Sequence, residues 1–359
     1  MLDDTLFDDP SRLADTDTGG LLRAAAMAGA QVRAVAEAAA EAGVERLAED
    51  RPRALVLVTR PGVGVAAAQL LAALLTAACP VPVVLAEAVP SWIGALDLVI
   101  AHTDDPGDVV LAESLDRATR RGARVVVTAP SEGPVAAATA GRGMLLPPRV
   151  PVPTGFGFAR ALAAGLMVVG ALGLLRTDIS ELADELDREA ERNHPMHESF
   201  VNPAKSLALR IADRTPLLWG LDQAATAVAW HAAFVLADHA GVVSDVAGYQ
   251  QAIGRTALHR AAVQSSSGSD LFADPDDDEQ PTQPRVLLLA VGHGDATEAA
   301  RRAAEATLAG ADVIQLDEVS GGDAICAAVL ALRFELAALY LGLAAGTIGG
   351  PGYYTRTAV

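Results

Sequence analysis

Ala54-Leu55-Val56-Leu57-Val58-Thr59, cut off by Arg60-Pro61-Gly62, is the stretch on which the fold turns. A short uncharged run, half of it β-branched and closed by a proline–glycine turn, reads as a strand buried on both faces. The same signature recurs at 81–85, 96–101 and 124–128, and helix-period segments lie between at 65–78 and 109–121. Buried strands alternating with helices require crossover connections, so the sheet is expected to be parallel and covered on both faces. Ahead of the first strand, 21–49 is alanine-rich and helical, with Gly29 and Gly43 as expected breaks.

Working outward, a proline-rich joint follows the fourth strand: Leu146-Pro147-Pro148-Arg149-Val150-Pro151-Val152-Pro153. The uncharged apolar run 161–175, bracketed by Arg160 and Arg176, is shorter than the roughly 18–20 residues of a membrane span. It is expected to be a helix buried in a core or a dimer interface. A charged helix over 180–193 has Ser180 as its expected N-cap. The alternation then resumes: strands at 215–220, 285–291 and 312–316, with helices at 223–240, 297–309 and 324–345. Between them, 264–284 is rich in Ser, Asp, Pro and Gln and buries too little apolar surface to order itself, so a disordered insertion is expected. The expected domains are residues 1–150, an N-terminal half with leading helices; 151–200, a helical connector; and 201–359, a C-terminal half carrying the insertion.

The 359-residue chain has a formal charge of −18, which disfavours nucleic acid and anionic membrane as partners. Cys79 and Cys326 make no disulfide framework, and Met1-Leu2-Asp3-Asp4 lacks the basic region of a signal peptide, so a cytoplasmic location is expected. His194-Pro195-Met196-His197 has no further ligands at metal spacing, and no metal is expected. Neither a Gly-x-Ser-x-Gly elbow nor a Walker lysine loop is present.

Three motifs carry a family resemblance. Asn202-Pro203-Ala204-Lys205-Ser206-Leu207-Ala208 leads into Thr215-Pro216-Leu217-Leu218-Trp219-Gly220; Pro147-Pro148-Arg149 follows the fourth strand; Tyr340-Leu341-Gly342-Leu343-Ala344-Ala345-Gly346 lies near the end. In order and spacing the chain resembles the bifunctional phosphoglucose/phosphomannose isomerases over nearly its whole length. The resemblance implies an α/β protein of two sugar-isomerase (SIS) halves, each an αβα sandwich on a parallel sheet. It also implies a homodimer, a phosphorylated sugar as ligand, no cofactor, and aldose–ketose isomerisation through an enediolate.

By the same resemblance Asp238 falls where the family has its catalytic glutamate, and Arg149 matches the arginine that stabilises the enediolate. His239 is a candidate for ring opening, since Gln250, near the family's histidine, does not titrate. Amides at Gly62 and Gly64, the hydroxyls of Thr103, Thr128 and Ser131, and Lys205 are the candidate phosphate contacts. The family's Ser-x-Ser-Gly-Asn-Thr loop is replaced by His102-Thr103-Asp104-Asp105-Pro106-Gly107-Asp108. Its three aspartates are expected to repel a phosphate, and Pro106 offers no amide. The closing lysine is missing as well, with Arg356 the nearest substitute. Two functions stay open: a hexose 6-phosphate isomerase with an altered site, or a non-catalytic sugar-phosphate sensor or structural partner.

Overall fold

A computed structural model describes residues 2–266 and 283–350. The chain divides into a central unit, Ala26–Asp187, and a terminal unit made of Met1–Ala25 with Arg188–Val359. The division falls at 25 and 187 instead of the expected 150 and 200. Most of the expected connector therefore belongs with the first sheet.

The short helices α1 (Pro10–Thr16) and α2 (Leu21–Ala26) precede the central unit's first long helix, α3 (Ala28–Ala42). Gly43 ends α3 in the left-handed conformation at φ 76°, as a C-terminal glycine does. Gly29 is not a break. A Cβ there would stand 2.6 Å from the Ala183 carbonyl oxygen, so this glycine permits a close helix approach within the unit.

The unit's sheet comprises β1 (Ala54–Val58), β2 (Val83–Ala86), β3 (Asp97–His102), β4 (Arg124–Thr128) and β5 (Met144–Leu146). Their order is β2-β1-β3-β4-β5 and every pairing is parallel, Leu55 facing Leu98 and Ala101 facing Val127. Crossovers run through α4 (Val63–Leu75), α5 (Val109–Arg120) and the short α6 (Pro134–Thr139). One face of the sheet buries Val56, Val99, Val125 and Val127 against Leu111 and Leu115 of α5. That supplies the driving force the apolar runs imply, at about 25 cal/mol per Å².

The apolar run becomes α7 (Phe158–Ala171), packed on α3 and α4 and buried inside the unit. Of the two expected settings, core or dimer interface, this is the core: the helix is covered within its own unit. In α8 (Ile179–Arg192) the cap is not Ser180 but Asp178, whose carboxylate accepts from the Ser180 and Glu181 amides at 2.9 and 3.0 Å.

The terminal unit continues with α9 (Pro203–Ile211), β6 (Thr215–Gly220), α10 (Gln223–Ala240), β7 (Asp245–Gly248), α11 (Tyr249–Gly254) and α12 (Thr256–Ser266). It closes with β8 (Pro284–Leu289), α13 (Asp295–Thr307), β9 (Asp312–Ile314) and α14 (Asp323–Ala345). This sheet is also all parallel, in the order β7-β6-β8-β9. Of the expected insertion, residues 264–266 end α12, Gln283 is described and Pro284 opens β8, while 267–282 lie outside the described residues. The 23-residue α14 is long and apolar enough to cross a membrane, but it is wrapped by α9 and α10 as the unit's core helix.

Candidate functional site

In an open parallel sheet ligands sit beyond the carboxyl ends of the strands, at the point where strand order reverses. In the central unit that point lies between β1 and β3, and here it is closed by the protein's own charges. Arg60, after β1, grips Asp108 with two bonds of 2.6 and 3.1 Å, and Asp108 also caps α5 through the Leu111 amide at 2.9 Å. The equivalent point in the terminal unit, between β6 and β8, is closed by Asp222. Its carboxylate accepts from Ala225, Val291 and Gly292 amides at 2.7, 2.9 and 3.0 Å.

Two of the three loop aspartates, Asp104 and Asp108, thus do not stand as bare negative charge. Asp105 accepts from the Gly107 amide at 2.7 Å, and Asp104 pairs with Arg160, in the first turn of α7, at 2.5 Å. Gly155 donates its amide to the other Asp104 oxygen at 3.3 Å. Behind this pair lies His102. Its Nδ1 bonds the Thr128 hydroxyl at 2.6 Å, and its Nε2 stands 3.6 Å from the Asp104 oxygen that holds Arg160. Burial lowers the His102 pKa from 6.5 to about 4, with Asp104 opposing and Arg160 reinforcing the shift. Burial likewise lowers the Arg160 pKa, against the pull of Asp104.

The open space lies one step along, beside β4 and β5. A cavity of about 430 Å³ is bounded by the 148–154 loop, Pro130, Asp104 and Arg160, with Arg149 on the same wall. Arg160 is only 5% exposed, and its Nε finds no protein acceptor. Arg149 is held from the far side by Glu41, which takes both guanidinium ends, and lies 3.6 Å from Glu37. Prolines 148, 151 and 153 fix the backbone of this wall and withhold amides from it.

Among the candidates from the sequence, Gly64, Thr128 and Thr103 meet around His102. A Cβ on Gly64 would stand 3.1 Å from the His102 carbonyl oxygen, so close packing explains that glycine. Gly62, at φ 102°, begins α4 with open space around its α-carbon. The Thr103 and Thr128 hydroxyls are buried and engaged internally, Thr103 accepting from the Asp105 amide at 3.1 Å. Ser131 lies on an exposed turn. Arg149 reaches the cavity.

Asp238, His239 and Lys205 belong to the terminal unit. Asp238 and His239 end α10, their side chains 3.7 Å apart. Lys205 is corrected as a phosphate contact: its buried ammonium donates to the Phe7, Pro195 and His197 carbonyls at 2.6, 2.8 and 2.6 Å, using all three protons. Asp104, Arg160 and the ring of His102 were not singled out by the motif comparison. Their one signal in the sequence is the placing of three ionisable side chains beside apolar runs, His102 and Asp104 after a buried strand and Arg160 before a buried helix.

Comparison with known proteins gives this architecture a class. No family model and no curated protein matches the chain. Solved structures do. A phosphosugar isomerase from Silicibacter pomeroyi, so described provisionally, aligns at 17% identity with a TM-score of 0.61, over 91% of this chain and 97% of that one. The C-terminal domain of glucosamine-fructose-6-phosphate aminotransferase from Francisella tularensis aligns at 10% identity and 0.64, over 92% and 97%. Tagatose-6-phosphate ketose/aldose isomerase from Escherichia coli aligns at 12% and 0.60, over 93% and 95%. The chain has the fold of the sugar-isomerase (SIS) proteins, with two parallel-sheet units as the sequence implies.

Proposed function

We propose that this protein binds a phosphorylated sugar, with the phosphate seated between Arg149 and Arg160 in the cavity at the carboxyl end of the first sheet. One observation carries the reading: a deeply buried guanidinium with an unengaged N–H forms the wall of a cavity of about 430 Å³. Small-molecule sites typically span about 300–1,000 Å³. Arginine's planar fork suits phosphate oxygens. The ligand class follows from the solved proteins of this fold, several of which are named for phosphosugars.

The isomerase form of this reading takes glucose 6-phosphate or mannose 6-phosphate to fructose 6-phosphate. Asp238 is the proposed base that moves the proton between C1 and C2. A non-catalytic form, a sugar-phosphate sensor or structural partner, is favoured by a separate observation. The Thr103 and Thr128 hydroxyls and the Lys205 amine are all engaged within the protein and leave no cradle of the expected kind.

Two assays decide. Ligand at about 100 times its dissociation constant adds roughly 2.7 kcal/mol of stability, so a melting shift with hexose 6-phosphates but not with free hexoses supports the site. No shift with any sugar phosphate sinks it. Fructose 6-phosphate formed by the parent and lost in Asp238→Asn establishes the isomerase form; binding without product establishes the sensor. The homodimer belongs to this proposal too. Trp230 and Phe234, exposed one turn apart on α10, are candidates for its contact, and sedimentation of the parent and of Trp230→Glu tests it.

A further inference from the structure

We infer that Arg160 is the residue that selects the ligand's phosphate, and that Asp104 is a resident stand-in for that phosphate, handed to His102 when the ligand arrives. The inference rests on the phosphosugar reading and adds a displacement and a proton to it.

Its basis is one shared oxygen. Asp104 Oδ1 lies 2.5 Å from Arg160 Nη2 and 3.6 Å from His102 Nε2, a nitrogen that is buried and has no hydrogen-bond partner. A movement of less than about 1 Å would bring that oxygen within hydrogen-bonding range of the ring. The missing side chain of Gly157 makes room for the exchange. A Cβ there would stand 3.0 Å from Arg160 Nη2, 3.2 Å from Asp104 Oδ1 and 3.3 Å from His102 Cε1, so all three groups converge on this glycine. Among the described residues no other charged group bears on the histidine. β4 presents only the Thr128 hydroxyl, α4 presents Gly64, α7 presents Arg160, and the charged groups bearing on the ring are Asp104 and Arg160.

A carboxylate on an arginine copies the charge and geometry of one face of a phosphate. An incoming dianion offers more charge to Arg160 than Asp104 does and takes its place. The displaced carboxylate, 20% exposed and left with only the Gly155 amide, gains from a new cationic partner. His102 is the adjacent acceptor: it is neutral at pH 7 in the free protein, and it takes a proton from solvent to pair with Asp104. Ligand binding is thereby coupled to the uptake of one proton by Nε2, and a sugar lacking phosphate gains nothing from Arg160.

The experiment is calorimetric titration of the full chain with glucose 6-phosphate and, separately, with inorganic sulfate, whose charge is constant near neutral pH. Two buffers of different ionisation enthalpy reveal the protons exchanged. Both probes should bind at about pH 6, sulfate binding should take up close to one proton from solvent, and affinity should fall about tenfold per pH unit above that. His102→Gln should abolish the proton uptake. Arg160→Lys should weaken both probes about tenfold or more. Glucose 6-phosphate bound by the parent, with sulfate bound without proton uptake or not at all, overturns the inference and leaves the phosphosugar reading standing. Sulfate bound with proton uptake while no sugar phosphate binds does the reverse. Neither probe binding removes both.

Discussion

Arg333 and Glu189 meet inside the terminal unit as a two-pronged pair, Nε to Oε1 at 2.6 Å and Nη2 to Oε2 at 2.9 Å. Glu189 is wholly buried, and it also accepts from the Asn193 amide group at 2.7 Å and from Arg192 at 2.5 Å. Arg333 sits in the middle of α14, where a lone charge would be expelled from the core. Removing one member leaves the other with a single remaining ion pair, Arg333 with Glu318 at 2.6 Å or Glu189 with Arg192 at 2.5 Å, and with part of its buried charge unmatched. Glu189→Leu or Arg333→Leu alone should therefore cost about 3–5 kcal/mol, whereas the double variant should recover much of that loss. Urea unfolding of the three variants checks this; additive losses would show that the pair is not coupled.

Glu335 makes the opposite arrangement, a carboxyl only 6% exposed on the same helix, with burial alone raising its pKa from 4.5 to about 8. Between those values the folded state holds a proton that the unfolded state has lost, so stability falls as pH rises from 4.5 toward 8. His102 and His231 run the other way. Burial lowers their pKa values from 6.5 to about 4 and about 3, so each costs stability as pH falls below 6.5. These three groups together place maximal stability near pH 6.5. The alkaline limb should amount to about 1 kcal/mol by pH 8, and Glu335→Gln should flatten it. Melting temperature recorded from about pH 5 to 9 tests both points; an unchanged alkaline limb in the variant would assign it elsewhere.

Gly157→Ala isolates the cluster at the first sheet from its surroundings. The residue lies at φ −87°, so alanine meets no backbone strain and the cost is steric alone. A methyl group pressed against Arg160, Asp104 and His102 should destabilise by about 1–3 kcal/mol. A crystal structure of the variant should show the Asp104–Arg160 bond displaced. Wild-type stability with that bond intact would mean the cluster yields more easily than its distances imply.

The buried strands at 54–59, 96–101, 124–128 and 215–220 were legible because a strand covered on both faces must be apolar throughout. The edges were harder. Met144–Leu146 and Asp245–Gly248 are three and four residues long and pair on one side only, so little apolar sequence marks them. Gly29 read as a break because its role, contact with Ala183, depends on a helix more than a hundred residues away. At the site, motif spacing led to Arg149 but passed over Arg160. Asp104 and Asp108 of the 102–108 loop read as repulsive because their neutralising partners, Arg160 and Arg60, lie on other elements. A sequence displays charges one at a time, and their pairing is a property of the fold.

Lys205 shows how such a pairing changes a residue's meaning. It stands in the motif that most resembles the sugar-phosphate isomerases, yet its ammonium closes the loop 195–197 onto Phe7 and lies 5.4 Å from the Tyr340 ring. Burial lowers its pKa, and the nearby Asp8 carboxylate opposes that shift. Lys205→Met keeps the length of the side chain but leaves three inward-facing carbonyls without their donor. The expected loss is about 3–5 kcal/mol, at the level of a broken buried charge network. Lys205→Arg should not restore it, because a planar fork does not reach three carbonyls arranged around a point charge. Measured below the lowered melting temperature, the folded fraction of Lys205→Met should bind glucose 6-phosphate with the parent's affinity. Retained stability with lost binding would instead return Lys205 to the phosphate site and the structural assignment would be withdrawn.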